Sequence, residues 1–200
     1  MEIEERMQSL QRRATRDPLT GVFNREEFAR THDETVADHL ARRVPCALVI
    51  CDLDYFKKVN DTYGHQAGDE ALIAFARLLE QRRRTDDVVA RYGGEEFLLL
   101  CPNCDLAGAA RLAEEIRVAL ERTSLSFLGN KNLTSSFGVT ELQYGDTSET
   151  MLRRADRALL QAKEIGRNVV VRIGAGLHET PSAPRQRGPL EWLLGTSAPE

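Results

Sequence analysis

RYGGEEF, residues 91–97, is the stretch from which the rest of the chain can be read. VVARY runs up to the two glycines and FLLLC follows the two acids. Two apolar, β-prone runs joined by Gly93-Gly94 read as a β-hairpin, because glycine reaches positive φ at both turn positions without steric cost. Glycines there also leave a bare backbone that a phosphate or ribose can approach closely. Glu95 and Glu96 then sit at the rim of the turn. Successive strand side chains face opposite ways, so the two carboxylates are expected to have different tasks. Taken alone, the motif is either a solvated acidic turn or the tip of a metal–nucleotide site, and the flanking chain has to decide between them.

The chain has 200 residues, 42% hydrophobic and 29% charged, enough for one domain with a substantial core. Its formal charge of −4 argues against a general nucleic-acid binder, so no DNA partner is expected. No apolar run approaches the roughly 20 residues that cross a bilayer, and the opening MEIEERMQSLQRR lacks the apolar segment of a signal peptide. A cytoplasmic location without a membrane span is the expectation. Cys101 and Cys104 form a CxxC, but Cys46 and Cys51 lie on a strand-like run and make a poor second ligand pair for zinc. Ordinary buried thiols are the favoured reading, with a redox or zinc role as a distant alternative.

Outward from the hairpin, helices alternate with strands. Residues 1–16 carry Ile3, Met7, Leu10 and Ala14 at a/d spacing, which suits a helical stalk or linker. Asn24 caps a helix reaching about Arg42, with Glu26 and Glu27 in its first turn. CALVICDLD (46–54) is a buried strand ending in acids, with Asp52 and Asp54 expected on one face. Residues 55–83 read as a short helix, a Gly-containing break and a longer helix. A helix over 105–123, a strand over 131–142, a helix over 148–166 and a strand over 168–173 follow. From 174 the composition turns to Pro, Gly, Ser and Ala, indicating a flexible tail. Alternating helices and strands with a central hairpin predict an α/β fold, a mixed and largely antiparallel sheet flanked by helices.

Several groups fall where they could share one site. Asp52 and Glu96 come from adjacent strand ends and suit a hard divalent cation, which takes one or two carboxylates and completes its shell with phosphate oxygens. Lys57 follows the acidic strand, where its ammonium meets a phosphate. Asn60 and Asp69 sit in and after the helical break. A carboxylate accepts both N1–H and the 2-amino proton of guanine, a donor pair adenine lacks. Lys163 and Arg167 bracket Gly166 and make a second basic pair for β- and γ-phosphates.

The chain resembles the GGDEF-domain diguanylate cyclases, with GGEEF as a variant of their signature. DPLTGVFNR (17–25), CDLDYFKKVNDTYGHQAGDEAL (51–72), RYGGEEF (91–97), SFGVT (136–140) and RRADRALLQAKEIGRNVV (153–170) carry the resemblance across residues 17–173. It implies a central sheet like that of adenylyl cyclases and polymerase palms, and condensation of GTP with GTP to cyclic di-GMP and pyrophosphate. It implies Mg²⁺, or Mn²⁺, on Asp52, the Leu53 carbonyl and Glu96, and Glu95 as activator of the 3′-hydroxyl. Asn60 and Asp69 would hold guanine, with His65 close to the base-binding segment. Lys57, Lys163, Arg167 and the backbone at Tyr55 and Phe56 would grip phosphates, Lys57 offsetting transition-state charge. Gly93 and Gly94 would lie along the nucleotide. One domain holds one GTP, so a homodimer is expected, with an upstream sensory domain or regulatory partner as its switch. Arg84 and Asp87 match the family's RxxD inhibitory site for product. An idle GTP- or cyclic di-GMP-binding module, acting as a receptor, is the alternative.

Overall fold

The computed structural model describes residues 14–174. Most of the stalk over 1–16 and the tail beyond 174 lie outside the described residues.

The fold is built on β1 (Cys46–Leu53), in which every residue is buried. Its apolar run does not alternate with polar residues, because helices cover both faces of the sheet. Ala47, Val49, Cys51 and Leu53 enter one core layer, and Cys46, Leu48 and Ile50 the other. β3 (Glu96–Pro102) divides the same way, with Phe97, Leu99 and Cys101 opposite Leu98 and Leu100.

Among the described residues the strands form one five-stranded sheet of order β2-β3-β1-β4-β5. β2 (Val88–Arg91) pairs antiparallel with β3, and β1 pairs antiparallel with both β3 and β4 (Ser135–Glu141). β4 and β5 (Val170–Ile173) are parallel. α1 (Arg25–Arg42) and α5 (Ser148–Glu164) cover one face through Phe28, Val36, Met151, Ala155 and Leu159. α2 (Phe56–Tyr63), α3 (His65–Arg82) and α4 (Leu106–Arg122) cover the other, led by Phe56, Phe75, Leu79 and Ile116. This is the mixed α/β sandwich expected of a cyclase- and palm-like fold.

Local chemistry explains the ends. Asn24 caps α1 by accepting the Glu27 N–H at 2.9 Å. Asp105 caps α4, accepting the Gly108 N–H at 2.7 Å. β4 starts at Ser135, later than the apolar pattern suggests, because Leu125 and Lys131 form a bridge around a 3₁₀ turn at Ser126–Leu128.

The hairpin turn departs from expectation. Neither Gly93 nor Gly94 is among the glycines with positive φ. Tyr92 N–H donates to Glu96 C=O at 2.8 Å, so Gly93, Gly94 and Glu95 all belong to the turn and Glu96 opens β3. Glu95 is therefore not a strand residue facing away from Glu96. What Gly93 supplies instead is space: a Cβ there would come 2.5 Å from Glu96 Oε2, and that carboxylate would have to shift.

Candidate active site

Asp52 and Glu96 are direct cross-strand partners on β1 and β3. Directly opposed residues of an antiparallel pair project from the same face, so the two carboxylates meet at the end of the sheet. Glu95 is held beside them by its backbone, its carbonyl accepting the Leu53 N–H at 3.3 Å. From α5, Lys163 Nζ reaches Asp52 Oδ2 at 2.9 Å.

The electrostatics follow from crowding. Burial raises the Asp52 carboxyl above its ordinary value, and nearby Asp54 adds to this, although the Lys163 hydrogen bond and charge pull it back. Glu95 and Glu96 are also raised, first by burial and then by Asp52, with Lys163 as the offset. Three carboxyls thus share one main nearby ammonium, a deficit of positive charge that a divalent cation would relieve. Among the described residues no three His, Cys, Asp or Glu side chains group closely enough to cage a metal. Two carboxylates and a backbone carbonyl are instead a partial oxygen shell, of the kind Mg²⁺ completes with substrate phosphates and water. The donor chemistry fits such an ion.

Asp54 does not join this cluster. It lies just past β1, buried, where its carboxylate accepts from Ser136 Oγ at 2.6 Å, Thr134 Oγ1 at 2.8 Å and the Asn168 N–H at 3.0 Å. Its role is to tie three segments together. Tyr55 follows with φ 56° and opens α2, whose first turn contains no acid. The first N–H groups of a helix have no partner within it and favour anions. Lys57 is exposed on that turn, and the buried Phe56 ring anchors it. The Arg167 guanidinium lies 4.8 Å from the centre of the Tyr55 ring.

The residues expected to hold guanine lie around the break between α2 and α3. His65 is the first residue of α3 and is exposed. A Cβ at Gly68 would collide with the Asn60 amide oxygen, so the Asn60 amide lies against α3 immediately before exposed Asp69. Gly94, by contrast, borders open space.

Arg84 and Asp87 are not brought into this site. They precede β2, at the end of that strand away from the GGEE turn. Arg84 is exposed, but Asp87 is buried, one oxygen accepting the Arg84 backbone N–H at 2.8 Å and the other lacking a hydrogen-bond partner. Arg83, not singled out by its sequence context, shapes this turn by donating to the carbonyls of Arg84, Thr85 and Asp87. The four cysteines are free and buried. Burial pushes Cys46 up to about 12 and raises Cys51, Cys101 and Cys104, so these thiols are neither thiolate nucleophiles nor ready ligands.

Three further residues escaped the sequence reading. Arg91 links the hairpin to the segment before α1, with Nη1 3.2 Å from Asp17 Oδ1 and Nη2 2.7 Å from the Gly94 carbonyl. Asn168 and Arg117 join across the loop after α5. The one available signal was Asn168 after Gly-Arg, since asparagine tolerates left-handed backbone better than most residues.

A sheet of this order, with carboxylates meeting at one end and cations on the neighbouring helices, defines a palm-like α/β domain with an acidic strand-end site. Residues 14–169 match the family model described as "Diguanylate cyclase, GGDEF domain". The chain is 41% identical to the diguanylate cyclase DgcM of Escherichia coli K12 over 164 residues, covering 82% of this chain and 40% of DgcM. It is likewise 41% identical to the response regulator PleD of Caulobacter vibrioides over 162 residues, covering 79% of this chain and 36% of PleD. The coiled coil and GGDEF domain of DgcB from Caulobacter crescentus, solved in complex with c-di-GMP, superposes with a TM-score of 0.81 at 32% identity, covering 86% of this chain and 92% of that one. The chain belongs to the GGDEF diguanylate cyclase family. It spans about two fifths of the length of DgcM and PleD. No helix among the described residues is long and apolar enough to cross a membrane.

Proposed function

We propose that this protein is a cytoplasmic diguanylate cyclase that condenses two GTP molecules into cyclic di-GMP across a homodimer. The observation that carries the reading is the cross-strand pair Asp52–Glu96 with Lys163 on Asp52, beside the open N-terminus of α2. Asp52, the Leu53 carbonyl and Glu96 would hold Mg²⁺, or Mn²⁺. When bound, the ion supplies positive charge against the triphosphate and the oxygens that gain charge in transfer.

The chain's own groups do the rest. Asn60 and Asp69 orient guanine, Asp69 accepting its N1–H and 2-amino protons, with His65 flanking the base. Gly93 and Gly94 let the nucleotide run against bare backbone. Lys57, Lys163, Arg167 and the backbone at Tyr55 and Phe56 grip the phosphates, Lys57 neutralising charge that develops in the transition state. Glu95, raised by burial, accepts the 3′-hydroxyl proton. Each 3′-oxygen attacks the α-phosphorus of the other subunit's GTP, the bond to the β-phosphate oxygen breaks, and pyrophosphate leaves. Each domain holds one GTP, so bringing the two domains together is itself much of the catalysis. An upstream domain or a regulatory partner would control that approach.

GTP turnover measured across protein concentrations with Mg²⁺ tests the reading. Product should rise more steeply than linearly at low protein, and Glu96→Ala should abolish it. A wild-type dimer that makes no cyclic di-GMP overturns it. Product inhibition is assigned to the exposed Arg84, with Asp87 shaping its turn. Arg84→Ala is expected to relieve inhibition by added cyclic di-GMP at least about tenfold, read from progress curves.

A further inference from the structure

Three consecutive residues after α5 have left-handed backbone: Gly166 at φ 129°, Arg167 at 65° and Asn168 at 48°. Glycine adopts this freely, but an arginine holds it only where its surroundings over-determine it. Those surroundings are specific. The Asn168 N–H donates to Asp54 Oδ2 at 3.0 Å, its side-chain oxygen accepts from Arg117 Nη1 at 2.9 Å, and its side-chain amide donates to Glu121 Oε1 at 3.0 Å. Arginine only donates and glutamate only accepts, so the amide can sit one way round. Arg117 is buried on α4. Its other donors go to Glu114 at 2.9 and 2.7 Å and to Glu121 at 3.1 Å. A planar guanidinium committed on these sides is a rigid fixture.

We infer that Arg117 is a positioning residue for Arg167: through Asn168 it locks the left-handed loop that sets the Arg167 guanidinium against the Tyr55 ring. The inference rests on the reading of Arg167 as a phosphate-binding group. α4 covers the opposite face of the sheet from α5. Two of the three phosphate-gripping cations are therefore held from opposite faces, Lys163 by α5 itself and Arg167 by a clamp reaching round from α4. Asp54 closes the arrangement, because it bonds Asn168 and immediately precedes Tyr55, which is itself left-handed at φ 56°. Both partners of the Arg167–Tyr55 contact are thus anchored to one buried carboxylate.

The test compares the full chain as wild type, Arg117→Met, Asn168→Gly, Arg167→Ala and the Arg117→Met/Arg167→Ala double variant. Affinity for 3′-deoxy-GTP with Mg²⁺, which binds but has no hydroxyl to react, is measured by calorimetry beside KM and kcat for GTP. Arg117→Met and Asn168→Gly should each weaken 3′-deoxy-GTP binding and raise KM by about five- to tenfold, with kcat within about twofold, as loss of ground-state binding requires. The double variant should bind no more weakly than Arg167→Ala alone, because the two act through one contact. Arg117→Met binding like wild type, or losses that multiply in the double variant, overturn the clamp. If Arg117→Met does not fold, Asn168→Gly decides, since it keeps left-handed backbone available and leaves the α4 ion pairs whole. A wild type that binds 3′-deoxy-GTP but forms no product overturns the cyclase reading while the binding comparison still decides the clamp. A wild type that binds neither nucleotide overturns both.

Discussion

Lys163 Nζ stands 2.9 Å from Asp52 Oδ2, a side chain of α5 closing on the buried carboxylate near the end of β1. The ammonium neutralises the group that a metal would draw on. Lys163→Met keeps the stem and removes the charge. Without nucleotide it should bind Mg²⁺ several-fold more tightly, and with nucleotide it should bind Mg²⁺–GTP about tenfold more weakly. Calorimetric titrations with Mg²⁺ alone and then with Mg²⁺–GTP check both directions; equal shifts in the two would count against the dual role.

Glu96 opposes the fold that carries it. Burial and then Asp52 raise its carboxyl, so the folded chain binds this proton more tightly than the unfolded chain does. Stability from this group is therefore full below the ordinary carboxylate range and is lost as pH rises through the raised folded value. Glu96→Gln should abolish turnover yet raise the melting temperature of metal-free protein by about 2 °C near neutral pH. The gain should vanish toward about pH 4, where the wild-type carboxyl is protonated too. Melts at both pH values in the presence of a chelator measure it.

The two signature glycines should separate. A Cβ at Gly93 meets Glu96 Oε2, the end of a flexible side chain, whereas one at Gly94 meets nothing within 4 Å. Gly93→Ala is expected to shift the Glu96 carboxylate, weaken Mg²⁺ binding and cost about a hundredfold in turnover with little loss of stability. Gly94→Ala should keep the Mg²⁺ affinity and act on KM for GTP. Metal titrations beside steady-state kinetics distinguish them.

Arg91 ties Asp17 to the turn carbonyl of Gly94. Burial pushes the Asp17 carboxyl up, but the Thr20 hydroxyl and N–H and the Arg91 guanidinium outweigh it and hold it below its ordinary value. A depressed carboxyl stabilises the fold above its unfolded pKa, and that contribution fades as pH falls through the folded value. Arg91→Ala should cost about 1–3 kcal/mol at neutral pH. The gap to wild type should narrow below about pH 4, as urea unfolding at the two pH values will report.

Much of this was legible from residues alone, and the exceptions have a common cause. β1 announced itself as an unbroken apolar run, and Asn24 as a cap, because both signals are local. Asp52, Glu96 and Lys163 lie together in the structure because two strand ends and a helix end converge there. The ties of Asp54 were not legible, because its partners Ser136, Thr134 and Asn168 come from segments far along the chain and alternation cannot tell a ligand from a tie. The turn was misjudged for a related reason. Gly93 looked like a demand for positive φ, when what it supplies is room for Glu96.

The central place of β1 has a consequence for how the chain acquires its shape. β1 is first of the strands in sequence, yet its partners β3 and β4 are made much later, and α2, α3 and β2 intervene before either. During synthesis it is an apolar segment without a sheet to join, able only to collapse against nearby helical surface until the hairpin emerges. Pairings this distant make folding slow and leave unpaired strand edges exposed to association meanwhile. The strand that places Asp52 is thus also the point at which a slowed or truncated chain would first be drawn into aggregation.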